Sequence, residues 1–315
     1  MTQKTKIAFL FSGQGAQYTG MGRELCQVSP AAKAVFEMAD RVRPQTSEQC
    51  FEGSKELLSR TINTQPCLFC VDLAAAAAVR EAGITPQAVA GFSLGEFAAL
   101  AFAGAMTDEA AFRLVCKRAE YMDKASVESN STMAAVIKLT PEQVVEVCSK
   151  YEGIYPVNFN SGQQVVVAGK VGGFDELAAE VKAMKGRVLP LAVSGGFHSP
   201  YMQSAADAFG EELKNYDYAT PQMPVYANYT AMPYEAAENP QQAVPRLLHK
   251  QIINPVKWED TIKNMVADGI EIFVEVGCGK TLSNLVKKII PDATCYQVEN
   301  AETLQATLAA LNDEQ

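Results

Sequence analysis

The sequence predicts an α/β protein: a hydrolase-like, mostly parallel sheet covered by helices, with a small ferredoxin-like (βαββαβ) unit inserted into it. Three observations point there. Short apolar runs bounded by Gly, Pro or Asn alternate with helical patterns along most of the chain. Residues 132–193 break that alternation with the order strand, helix, strand, strand, helix, strand. A length of 315 residues, 48% apolar and 20% charged, suits two domains or one large body carrying an insertion.

Strands of the main sheet are expected at 6–11, 88–92, 224–228, 270–275 and 294–296, each a nearly continuous apolar run of the kind a doubly covered strand needs. Helical periodicity marks 65–82, 96–105, 109–124 and 258–267. In the middle, 132–139 reads as a strand and 141–150 as a helix, with Thr140 as N-cap and Pro141 at its first position. Strands at 154–158 and 164–168 follow, then a helix at 174–185 ended by Gly186 and a strand at 187–193. The expected division is a catalytic body from 1–128 and 199–315 and a subdomain at 129–198.

Composition narrows the function. With 27 Lys+Arg against 36 Asp+Glu the net charge is −9, which argues against nucleic acid as the main partner. The apolar runs 97–106 and 73–79 are bracketed by charges and fall short of the ~18–20 residues of a membrane span. Lys4 and Lys6 precede too short an apolar run for a secretion signal. The chain therefore reads as cytoplasmic and monomeric, without a membrane partner, its eight cysteines being reduced thiols.

The chemistry begins at Gly91-Phe92-Ser93-Leu94-Gly95, a G-x-S-x-G between an expected strand and an expected helix. That context makes Ser93 a nucleophile on a tight turn rather than a helix cap. A serine nucleophile needs a base, and the chain has two histidines. His249 lies in a helical surface pattern, whereas His198 lies in a Gly-rich loop leaving the last strand of the inserted unit. His198 is the expected base. No Asp or Glu stands in an obvious strand-end loop between Ser93 and His198, so a backbone carbonyl could orient the imidazole instead. Arg118 sits beside Val115, Ala119 and Met122 at the edge of an apolar stripe, where a guanidinium needs an anion and a carboxylate suits its fork. Cys67 and Cys70 read as small core hydrophobes despite their C-x-x-C spacing. Gly277-Cys278-Gly279-Lys280-Thr281 lacks the first glycine of a phosphate loop, and Asp268-Gly269 is set aside as the acid of a Ser-Asp lipase.

Phe11-Ser12-Gly13-Gln14-Gly15-Ala16-Gln17, the Gly91 to Glu96 elbow, Arg118, Gly195-Gly196-Phe197-His198-Ser199-Pro200, Gln251 to Trp258 and Glu275 to Lys280 occur in one order. In that order and spacing the chain resembles the malonyl-CoA:acyl-carrier-protein transacylases from about residue 6 to 290. Ser12 and Ala16 depart from the family's common residues at non-catalytic positions. The resemblance implies transfer of malonyl from coenzyme A through a seryl ester to a phosphopantetheine thiol, as in fatty-acid biosynthesis or polyketide synthesis. The thioester is a substrate, and no cofactor or metal is implied. It makes Ser93 the nucleophile, His198 the base, the Gln14 and Leu94 amides the oxyanion hole, and the Gln251 carbonyl the holder of the histidine. It gives Arg118 the malonyl carboxylate and Phe197 the bulk that excludes branched acyl groups. An acidic carrier protein then needs a basic patch, for which Lys182, Lys185, Arg187, Lys287 and Lys288 are candidates. A serine hydrolase of thioesters or esters is the enzyme alternative, opposed by Arg118 and the missing acid. A non-catalytic scaffold is the third reading, opposed by the intact Ser93 and His198.

Overall fold

The computed structural model describes residues 5–313. β1 (Ile7–Phe11) leads through α1 (Arg23–Val28), α2 (Pro30–Val42), α3 (Thr46–Glu52) and α4 (Lys55–Leu58) into the long α5 (Thr61–Glu81). β2 (Ala88–Gly91) turns at once into α6 (Gly95–Phe102), followed by α7 (Asp108–Ser129). The inserted unit is β3 (Ser131–Ile137), α8 (Pro141–Cys148), β4 (Tyr155–Ser161), β5 (Gln164–Lys170), α9 (Asp175–Ala183) and β6 (Arg187–Pro190). The chain returns through α10 (Gln203–Glu212), β7 (Val225–Tyr226), α11 (Pro240–Ile253), α12 (Trp258–Ala267), β8 (Ile272–Val276), α13 (Thr281–Ile289), β9 (Thr294–Val298) and α14 (Ala301–Asp313).

The large sheet is parallel throughout, in the order β7-β2-β1-β8-β9. Every residue of β1, β2 and β8 is buried, which is why these strands are uninterrupted apolar runs with no polar alternation, Glu275 excepted. Phe11 is in register with both Gly91 and Val276, so the loops after β1, β2 and β8 leave the sheet at one level. That shared carboxyl edge is where open α/β sheets place their ligands. The small sheet is antiparallel, in the order β4-β5-β3-β6, the arrangement expected of a ferredoxin-like unit. One of its faces holds Ala134, Val136, Val165 and Val167 against α8 and α9. The other sends Met133, Ala135, Val166 and Ala168 into the main core, so the inserted unit is fastened to the body by apolar packing.

Most element boundaries fall within a few residues of expectation, and the exceptions have local causes. α8 opens on a full capping box, Thr140 and Gln143 bonding each other's backbone. At the end of α9 the left-handed residue is Lys185, not Gly186. Gly186 is required for space instead, since a Cβ there would lie 2.8 Å from both Leu139 and Val181 side-chain carbons. β6 stops at Pro190, one residue short of the Leu191 N–H that still donates to Met133 O at 3.0 Å. β7 keeps only two residues, because the next part of the expected strand, Asn228, turns into the site.

α5 corrects the reading of short apolar runs. Over its 21 residues it is long and apolar enough to cross a membrane, with mean hydropathy 1.4, and uninterrupted runs hid this because Gln65 and Asp72 divide it. Protein covers 94% of that stretch, making it the central core helix. Asp72, inside it, accepts a 2.6 Å hydrogen bond from Ser12 Oγ, and burial pushes its carboxyl well above the ordinary carboxylate range.

Candidate active site

The elbow is built by close approach. A Cβ at Gly91 would lie 1.9 Å from the Gly95 carbonyl carbon, and one at Gly95 would lie 2.3 Å from Phe11 O. Only glycines let β2, α6 and β1 meet this tightly. The turn leaves Ser93 at φ 52°, a left-handed conformation that costs a non-glycine residue on the order of 1–3 kcal/mol. Asn228, just past β7, holds it there. Ser93 N–H donates to Asn228 Oδ1 at 2.6 Å, and Asn228 Nδ2 donates to Gly91 O at 2.6 Å.

His198 arrives from the opposite side on the loop after β6. Gly195 passes Ser126 so closely that a Cβ would lie 2.1 Å from its Oγ, and Gly196 N–H donates to Ser131 Oγ at 2.7 Å. His198, at φ 61° and 3% exposed, places Nε2 2.8 Å from Ser93 Oγ and Nδ1 2.7 Å from Gln251 O. A carbonyl only accepts, so the ring proton sits on Nδ1 and Nε2 is free to accept from the serine. Burial pulls the imidazole pKa down to about 3, and the Arg118 charge acts the same way, against the opposing hydrogen bond to Gln251. The ring is therefore neutral at pH 7.

Arg118, 1% exposed on α7, has neutral partners only. Nη1 donates to Gln65 Oε1 at 2.8 Å, and Nη2 to Gln251 Oε1 at 2.9 Å and Ser93 Oγ at 3.1 Å. Its Nε has no acceptor among the described residues, and the guanidinium carbon lies 5.3 Å from the centre of the Phe97 ring. Burial pulls its pKa down to about 9, opposed by the charge of Glu96. A buried guanidinium with an unused donor beside a nucleophile is a seat for an anion.

Gln14 and Leu94 follow closely on the ends of β1 and β2, and neither backbone N–H donates to another described residue. Beside Gln14 a cavity of about 240 Å³ lies between the two sheets, lined also by Phe92, Asn158, Asn160, Gln164 and Leu285. The Oδ1 atoms of Asn158 and Asn160 are buried without partners among the described residues. Phe197 is 6% exposed in the main core, and no hydrogen bond or ring pair ties it to Ser93 or Arg118. Of the basic candidates, Lys288 Nζ reaches Gln164 Oε1 at 3.1 Å, and Arg187 and Gln164 both pair with Ile137. Arg187 and Lys288 thus share one end of the small sheet, next to the cavity.

The structure thus gathers Ser93, His198, Gln251 and Arg118 into direct contact. The set-aside residues lie elsewhere: Cys67 and Cys70 are buried free thiols, Asp268 accepts from Tyr226 Oη, and His249 is half-buried against Gly210. Sequence reasoning missed Asn228, Gln65 and Glu96. Asn228 ends an expected parallel strand, the position where functional side chains collect, and Gln65 is an amide within an apolar helix. Those were the available signals.

The acyl transferase domain model matches residues 8–307. The chain belongs to that family. The malonyl CoA-acyl carrier protein transacylase of Bacillus subtilis strain 168 is 38% identical over 98% of both chains. That of Escherichia coli K12 is 34% identical over 96% of this chain and 99% of its own. Among solved acyl transferases, the Clostridium perfringens malonyl CoA-acyl carrier protein transacylase superposes with a TM-score of 0.93, at 34% identity and 98% coverage of each chain. A malonyl-transacylase in complex with a type II polyketide-synthase acyl-carrier protein gives 0.92 at 32% identity, over 97% of this chain and all of that one.

Proposed function

We propose that this acyl transferase moves a malonyl group from malonyl-CoA, through an ester on Ser93, to the phosphopantetheine thiol of an acyl carrier protein. The observation that carries the reading is Arg118, a buried cation with no carboxylate partner among the described residues, 3.1 Å from the Ser93 oxygen. An acyl group with a free carboxylate supplies what that seat lacks.

In the first half-reaction Ser93 Oγ attacks the thioester carbonyl as its proton passes to His198 Nε2. The oxyanion accepts from the Gln14 and Leu94 amides, preorganised at two strand ends. The C–S bond then breaks, the seryl ester forms, and the proton on Nε2 goes to the departing coenzyme A thiolate. The second half-reaction reverses these steps: the carrier's thiol gives its proton to His198, attacks the ester, and Ser93 Oγ recovers the proton. The Gln251 carbonyl holds the Nδ1 proton throughout, which removes the need for a triad acid.

The cavity between the sheets takes the pantetheine arm, whose amide N–H groups fit the unpartnered Asn158 and Asn160 oxygens. Phe197, buried next to His198, supplies bulk against branched acyl groups. Free thiols and a coenzyme A substrate suit the cytoplasm, and the body and inserted unit meet near residues 129 and 198. The test is intact-mass measurement after incubation with malonyl-CoA. A malonyl adduct that discharges onto carrier protein is expected, whereas release as free malonate at the same rate without carrier refutes transfer.

A further inference from the structure

Glu96 is the second residue of α6, lies behind the dyad and is 1% exposed. Three donors converge on its two oxygens. Oε1 accepts from Tyr234 Oη at 2.5 Å, and Oε2 accepts from Asn228 N–H at 3.1 Å and from Gln251 Nε2 at 2.7 Å. Burial pushes the Glu96 carboxyl up, while these three donors and the Arg118 charge pull it back; held as a carboxylate it can only accept, so it dictates which way the Gln251 amide faces. The Gln251 nitrogen points to Glu96 and to Ser93 O at 2.9 Å, which leaves its oxygen for Arg118 Nη2 at 2.9 Å. Turned over, the amide would set its oxygen against the carboxylate and Ser93 O and its N–H against the guanidinium, replacing three attractions with three repulsions in a buried site.

The consequence reaches both working groups. Gln251 supplies the carbonyl that holds His198 and the amide oxygen that holds Arg118. Arg118 has no carboxylate within reach among the described residues, and Glu96 is the anion whose field acts on it, one glutamine away. We infer that Glu96 is a positioning residue: it fixes the polarity of the Gln251 amide and through it aims Arg118 at the carboxylate of the acyl group on Ser93. This rests on the malonyl-transfer reading above.

The test follows acylation by malonyl-CoA and by acetyl-CoA in the wild type and in three variants, by intact mass against time. Glu96→Gln can present a carbonyl to Gln251 and Asn228 and an amide to Tyr234. It should keep the malonyl-over-acetyl preference to within about threefold, less than the loss of one hydrogen bond to a charged group. Glu96→Ala should lose at least about tenfold of that preference, the malonyl rate falling more than the acetyl rate. Tyr234→Phe removes one donor at nearly constant volume and should lose a smaller part in the same direction, which keeps the test decisive should Glu96→Ala fail to fold. Equal losses for the two acyl groups overturn the inference, as does a Gln variant no better than Ala. A wild type that forms no malonyl adduct overturns the malonyl reading and this inference with it.

Discussion

The body and the inserted unit each bring one member of the dyad, and they hold it differently. On the body side Ser93 is fixed by steric closeness, with Gly91 and Gly95 letting three elements meet at one turn. On the inserted side His198 is fixed mainly by hydrogen bonds, through Gly196 to Ser131 and through its own Nδ1 to Gln251. Both residues end with positive φ. Both turns combine close glycine packing with polar contacts, but the elbow's glycines meet backbone atoms, whereas Gly195 meets the Ser126 side chain. The first admits almost no substitution, and the second depends on partners from separate elements.

The largest effect comes from the body side. Ser93→Ala should abolish the acyl-enzyme while leaving the thermal transition near that of the wild type; an adduct on the variant would move the nucleophile elsewhere. His198→Ala breaks the inserted side and should slow acylation by at least ~10²-fold, the usual worth of a general base. Its pH dependence sharpens the comparison. The base works neutral, and its pKa lies near 3 instead of 6.5, so it protonates only well below the usual histidine range. Acylation measured by rapid quench should therefore hold its plateau down to about pH 5, whereas an acid limb near 6.5 would mean a solvated imidazole.

Arg118→Ala probes the body's wall. It should cost malonyl transfer ~10–100-fold, the scale of a charge-assisted pair, while acetyl transfer falls less or rises. A retained malonyl preference would make Arg118 structural. The smallest effect belongs to the rim where the inserted unit meets α13 of the body. Charge reversal at Arg187 and Lys288 should raise KM for carrier protein a few-fold, about 1 kcal/mol for rim charges, without changing KM for malonyl-CoA. Equal changes for both substrates would place the carrier elsewhere.

What the sequence disclosed follows how local each signal is. Ser93 was legible because its glycines, strand and helix are contiguous, and His198 because only two histidines compete for the role. Arg118 and Gln251 needed the family resemblance to stand out from other helical residues. Glu96 was within the quoted elbow yet carried no signal, since its partners Asn228 and Tyr234 lie 132 and 138 residues away. Most strands were visible as apolar runs, and a mostly parallel main sheet followed from the helix-strand alternation, but the order of the strands came only from the structure. The helices α1, α3 and α4 have 4 to 7 residues, too few to show a period, whereas α2, 13 residues long behind its Ser29 cap, carries an amphipathic pattern that was there to be read.

α5 also bears on how the chain is born. It leaves the ribosome before β2, α6 and α7, the elements that will cover it, and for that interval it has the length and apolarity of a segment bound for the bilayer. Asp72 stands near its middle. A carboxylate at the centre of an inserting helix costs about 2.5–3.5 kcal/mol, enough to offset several leucines. In the finished protein that side chain merely accepts a bond from Ser12; on the nascent chain it biases the helix away from the lipid until the sheet closes over it.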